Sequence, residues 1–162
     1  MSAILSDCGT YRYRLERVCG LDGPTYAFFG INPSTADAAI NDATVRKWIG
    51  FVSRWGGDRF IVGNVFGYRS TDVFALRHED DPVGPKNDAH LWQIIADADI
   101  LVPCWGNASK VPNHLRYRLN RVLSMLVLSG KPVLIFGKTQ SGDPKHPLML
   151  GYDTPLRPWR PS

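Results

Sequence analysis

Four short apolar runs, each broken off by a polar loop and separated from the next by a helical pattern, constrain this chain more than any other feature. Tyr26 to Ile31 reads as a buried strand and stops abruptly at Asn32-Pro33-Ser34-Thr35. Arg59 to Val65, Ile100 to Cys104 and Pro132 to Phe136 repeat the pattern. Between them, a helix capped by Asn41 or Asp42 runs to about Trp55, where Gly56-Gly57 ends it. A second helix starts at Asn87 or Asp88, and a third spans roughly Asn113 to Leu128. Strands alternating with helices predict a largely parallel sheet covered on both faces. Ahead of them, Tyr11 to Val18 alternates apolar and charged residues, the pattern of a strand with one face in water. The expected fold is a three-layer α/β/α domain over residues 1–162, with a central, mainly parallel four-stranded sheet and an N-terminal antiparallel strand or hairpin.

In such sheets ligands sit beyond the carboxyl ends of the strands, so the loops after each apolar run are the expected binding region. They carry Asn32, Ser34, Thr35, Asp37, Asp42, Arg69, Asp72, Asn107, Lys138, Thr139, Lys145 and His146, with Asn64 near a strand end. The segment from Phe66 to Lys86 is long, irregular and rich in Asp, Gly and Pro, which in a compact domain points to function.

Composition removes several classes of function. The three cysteines, Cys8, Cys19 and Cys104, lack C-x-x-C spacing and are expected as small buried thiols. The four histidines show no paired ligand spacing, so no metal is expected. No apolar run approaches the roughly 20 residues of a membrane span, and Met1 to Thr10 does not resemble a secretory signal. The expected location is the cytoplasm, and the expected state a monomer.

Charge is unevenly distributed. Residues 1–103 carry 10 Lys and Arg against 13 Asp and Glu, net −3, whereas residues 104–162 carry 9 against 2, net +7. Lys110, Arg116, Arg118, Arg121, Lys131, Lys138, Lys145, Arg157 and Arg160 are either a face for a polyanion or a solvated helix surface with a basic tail. Trp48, Trp55 and Trp92 sit at helical spacings and are expected in the core, while Trp105, at a strand end, is open.

Three strand ends together resemble the uracil-DNA glycosylase superfamily. Gly30-Ile31-Asn32-Pro33-Ser34 is similar to the water-activating motif of its mismatch-specific branch. Phe60 to Phe66 resembles the strand whose asparagine reads the flipped base, and His146-Pro147-Leu148 resembles the motif supplying an electrophilic histidine and a wedge. The whole chain, with Asn-Pro-Ser-Thr-Ala-Asp at 32–37, Asp-Pro-Val-Gly-Pro at 81–85 and Lys-His-Pro-Leu at 145–148, resembles more closely a family of small bacterial and phage proteins of unknown function.

The glycosylase resemblance implies cleavage of the N-glycosidic bond of a modified or mispaired base, flipped out of DNA or held in a nucleotide, with no metal or organic cofactor needed. Asn32 would hold the attacking water, and His146 would donate to the base oxygen as negative charge develops. Asn64, with Ile31, Phe66 and Tyr68, would contact the base. Ser34, Thr35, Arg69, Lys138 and Lys145 would contact the nucleic acid, and Leu148 or Met149 would fill the gap left in the stack. Asparagine cannot act as a general base as aspartate does. Asp37, Asp42, Thr44 and Arg46 have no counterpart in the glycosylase motifs.

Each residue also has an ordinary structural reading. Asn32 before Pro33 is a favourable turn residue, Asn64 a loop cap, and His146 a surface or satisfied core histidine. Arg69 either pairs with Asp72 to close its loop or meets a phosphate. Two other functions remain open: a non-catalytic nucleic-acid or nucleotide-binding module, and a small-molecule nucleoside hydrolase.

Overall fold

The computed structural model describes residues 1–159. Strands β1 (Ser2–Leu5), β2 (Arg12–Val18), β3 (Thr25–Gly30), β4 (Arg59–Asn64) and β5 (Ile100–Pro103) form a five-stranded sheet in the order β1-β2-β4-β3-β5. β1 and β2, and β2 and β4, pair antiparallel, whereas β3 runs parallel to both β4 and β5. The sheet is therefore mixed, and its parallel part has three strands where four are expected. The run at 132–136 yields only β6 (Leu134–Ile135), paired antiparallel with β7 (Arg157–Pro158) and joined to β5 by one isolated bridge, Leu101 to Val133. Pro132 brings no N–H to a ladder, which shortens that run at its start.

Period-two alternation in β3 and β4 sends side chains to two cores. Ala27, Phe29 and Ile61 face a layer built by α2 (Asn87–Asp97) and α3 (Tyr117–Leu128). Tyr26, Phe28, Phe60 and Val62 face α1 (Ala43–Arg54) with its buried Val45, Trp48, Phe51 and Val52. The three-layer arrangement follows from this double burial. Asp42 caps α1 by accepting from the Val45 amide at 2.9 Å, and Gly56, at φ +72°, turns the chain at its far end.

β2 does not have a face in water. It lies inside the sheet, and its register with β1 shifts between Ile4 and Leu5, so that Tyr13 is an extra residue on β2. The bulge breaks the alternation. Arg14 and Glu16 meet α2 and β4 through pairs to Asp97 (2.8 Å) and Arg59 (2.8 Å), and Tyr13 stacks on His90. Arg12 and Arg17, 3% and 1% exposed, turn the other way, to the loop after β3.

Other expectations are corrected locally. Asn87 does not cap α2. Its side chain is fully buried and donates to the Asn64 and Val65 carbonyls, while Asp88 pairs with Arg118. The third helix is broken by a short turn of 3-10 helix at Asn113–Leu115. The long loop contains a 3-10 helix, Val73–His78, capped by Asp72, so Asp72 is not a partner of Arg69. Trp92 is 47% exposed and is not core, whereas Trp48 and Trp105 are buried.

The basic third does not form one face. Arg118 is buried against Asp88, and Lys131 is held by the Ile95, Ala96 and Ala98 carbonyls at the end of α2. Arg116 donates to the Val111 and Ser109 carbonyls. Arg160 lies outside the described residues. Among the described residues, no helix is long and apolar enough to cross a membrane, and no group of three or more His, Cys, Asp or Glu is placed to hold a metal.

The cysteines differ sharply. Cys8 is exposed, and hydrogen bonds with the Ser6 and Thr10 side chains lower its thiol to about 7. Burial raises Cys19 and pushes Cys104 up to about 12. Iodoacetamide at about pH 7.5 is therefore expected to alkylate Cys8 first, with Cys104 unmodified until the protein unfolds. Peptide mass mapping checks this, and early labelling of Cys104 would contradict the described core.

Candidate active site

β3 and β4 run parallel in a register that sets Gly30 opposite Asn64, so both motifs end at one place. A Cβ at residue 30 would lie 3.0 Å from Asn64 Oδ1, and glycine is what lets the carboxamide approach the β3 backbone. Beyond these strand ends lies a cleft of about 180 Å³. Ile31, Asn32 and Ser34 form one wall, Asp42, Thr44 and Trp48 of α1 a second, and Trp105, Lys110 and His146 close it, with Arg12 and Asn64 at its base. Its position beyond the carboxyl ends of parallel strands is the one expected for a ligand.

The loop carrying Asn32 is held from several sides. The Asn32 amide nitrogen donates to the carbonyl oxygens of Ser70 (2.9 Å), Tyr68 (3.3 Å) and Pro33 (3.3 Å). That fixes the carboxamide's orientation, and its oxygen accepts no hydrogen bond among the described residues. Arg12 donates to the Ala36 carbonyl at 2.8 Å, and Arg17 to the carbonyls of Asp37 and Ile40 and to Asn41 Oδ1. Asp37 closes the turn by accepting from the amides of Ala39 and Ile40. Ser34 Oγ donates to Asp42 Oδ2 at 2.9 Å.

Three buried donors on the cleft, Asn64 Nδ2, Arg12 Nε and Trp48 Nε1, have no hydrogen-bond partner among the described residues. Asn64 is 3% exposed. Leaving such a donor unpaired costs about 1–3 kcal/mol, a penalty that a ligand with acceptor atoms or a water would remove. Burial brings the Arg12 guanidinium down to about 10, still charged at neutral pH, so the cleft base favours electron-rich ligand atoms.

His146 Nδ1 accepts from the Leu148 amide at 3.2 Å, which assigns the proton of the neutral ring to Nε2. Burial lowers its pKa and Lys110 lowers it further, with Asp42 opposing. At neutral pH it is an uncharged hydrogen-bond donor.

The other expected site residues divide. Ile31, Asn32, Ser34, Asn64 and His146 are gathered on the cleft. Phe66 is fully buried in the core facing α2 and α3 and cannot stack on a ligand. Tyr68 packs edge-on against Tyr11 and lines a separate open depression with Thr35 and Arg69. Arg69 reaches only the Ser34 and Gly9 carbonyls, at 3.4 and 3.5 Å. Lys138 lies in a third depression that shares Trp105 with the cleft. Lys145 and Leu148 are exposed and off the cleft. Arg12, Asp42, Trp105 and Lys110 join it from outside the three motifs. Asp42 has a signal as a loop residue and cap of the helix following the first motif, Trp105 in its place at a strand end and Lys110 in the basic last third, whereas Arg12 has none.

No curated protein and no solved structure matches this chain. A family model described as "Protein of unknown function (DUF1643)" matches residues 12–148, the span that runs from Arg12 at the base of the cleft to His146 at its rim, and the chain belongs to that family.

Proposed function

We propose that the cleft binds a nucleobase and that the protein hydrolyses its N-glycosidic bond, as the glycosylase resemblance implies. The observation that carries this reading is the meeting, on one cleft, of Asn32, the unpartnered Asn64 donor and an Nε2-protonated His146. Departure of a base leaves electrons on its ring oxygens and nitrogens and positive charge on the sugar. Asn64 Nδ2 would bind an acceptor on the base edge, and His146 Nε2 would donate to the base oxygen as charge develops. The Asn32 oxygen would hold the attacking water. Arg12 would stabilise the anionic leaving base through its field rather than by proton transfer.

A free nucleoside or nucleotide is the second reading for the substrate, favoured by a specific feature. Among the described basic side chains of the last third, Lys110 alone lines the cleft, and Arg116, Arg118 and Lys131 are engaged by carbonyls or a carboxylate of the same chain. DNA binding predicts affinity that falls steeply with salt, whereas nucleoside binding does not.

The test is release of free base from oligonucleotides carrying uracil, deaminated purines or bulky pyrimidines, and from the corresponding nucleosides. Asn64→Leu is expected to lower release on the order of 100-fold, the scale of losing one donor to developing charge, without lowering thermal stability. Leucine removes a donor that the free protein leaves unpaired. Undiminished release by Asn64→Leu would overturn the assignment of the base site.

A further inference from the structure

Asn32 can hold a water but has no basic group to take its proton, so the reaction above still needs a proton acceptor. We propose that Asp42 is that acceptor, reached through the hydroxyl of Ser34. The inference rests on the N-glycosidic reading and deepens it. Asp42 is the one carboxylate among the described residues lining the cleft. Its two oxygens do different work. Oδ1 accepts from the Val45 amide at the start of α1, which fixes the side chain, and Oδ2 accepts from Ser34 Oγ at 2.9 Å. Ser34 also lines the cleft, two residues beyond Asn32. Because its proton points to Asp42, its oxygen lone pairs are free to accept from a water that the Asn32 oxygen also holds.

The step balances in protons and electrons. The water oxygen forms a bond to the sugar's anomeric carbon as the carbon–nitrogen bond breaks, and that bond's electron pair leaves on the base. The water proton passes to Ser34 Oγ while the Ser34 proton passes to Asp42 Oδ2. The base anion, held by His146 Nε2–H, is then protonated from solvent, and Asp42 returns its proton to solvent. The charged and titratable groups facing Asp42 are Arg12 and Arg17 from β2, His146 from the last loop, and Lys110 across the cleft. Three of these are cations and His146 is neutral at the working pH; Asp37 shares Arg12 and Arg17 with Asp42 but does not line the cleft.

A role confined to capping α1 makes a different prediction, and Asp42→Asn separates the two. Asparagine is as good an N-cap as aspartate, so helix and fold are retained, but it cannot accept the proton. Single-turnover base release by Asp42→Asn is expected to fall about 100-fold, the lower range for loss of a general base. Asp42→Ser, which also caps, is expected to behave alike, and far-ultraviolet circular dichroism checks that both variants fold. Release within about twofold of wild type, while Asn64→Leu falls on the order of 100-fold, would reduce Asp42 to a helix cap and leave the N-glycosidic reading standing. Wild type silent on every substrate removes that reading, and the role of Asp42 falls with it.

Discussion

Arg17→Met is expected to destabilise the protein by about 3 kcal/mol, the scale of losing charged hydrogen bonds to buried acceptors, and to lower the thermal midpoint by about 6–12 °C for a chain of this size. Arg17 is 1% exposed and donates to Asn41 Oδ1 at 2.7 Å, to the Glu16 carbonyl at 2.8 Å, and to the carbonyls of Asp37 and Ile40. The carbonyls of Asp37 and Ile40 belong to the loop that forms one wall of the cleft, where no strand is present to pair them. Methionine keeps much of the stem but donates nothing: the Ile40 carbonyl keeps the Asp37 amide at 3.2 Å, whereas the Asp37 carbonyl must reach water or stay unpaired. Removing a buried charge also recovers its desolvation cost, which keeps the expected loss well below the sum of four bonds. Chemical denaturation checks this. A Met variant within 1 kcal/mol of wild type would mean that the loop's other contacts, among them Arg12, Asn32 and the Ser34–Asp42 bond, suffice to hold it.

That anchoring shows where sequence patterns stop. The runs Tyr26 to Ile31 and Phe60 to Val65 are legible as buried strands because they are apolar at consecutive positions and end at turn residues. Asp42 is legible as a cap for the same local reason. Convergence of Asn32 and Asn64 follows from the rule that parallel strands present their carboxyl ends on one side, whereas His146 arrives on the loop that follows the two-residue strand β6. Arg12 and Arg17 were not legible as interior groups, since Tyr11 to Val18 reads as a half-exposed strand until the bulge at Tyr13 and the flanking strands are known. Those are long-range facts. The short strand Ser2–Leu5 shows the same limit, because its four residues gain their structure only by pairing with β2. Phe66 looks like a stacking residue by its neighbour Asn64, yet two positions further along the chain it points into the core facing α2 and α3. The basic third misleads because composition counts charges without saying which are already bound to a carbonyl or a carboxylate.

His146→Phe is expected to lower base release about 100- to 1000-fold while leaving binding of the base nearly intact, the effect of removing one donor aimed at charge that develops only in the transition state. Phenylalanine keeps a ring against Trp105 and Lys110 on the same cleft but has no Nε2–H to donate. The pH behaviour provides an independent readout of the same side chain. Because burial and Lys110 lower the His146 pKa, the folded protein binds this proton less readily than the unfolded chain. Stability is therefore insensitive to this group above its ordinary value of 6.5, and falls as the pH drops from there through the lowered folded-state value. Protonation puts a hydrogen on Nδ1 and breaks its contact with the Leu148 amide, so the same pH range should also loosen the segment around Pro147. His146→Phe is expected to remove that part of the pH dependence of stability. Loss of activity without loss of the pH-dependent term would assign the effect to ring shape rather than to the half-buried neutral imidazole. Retention of both would place the leaving-group donor elsewhere, and Lys110, the other donor on that side of the cleft, would be the next residue to replace.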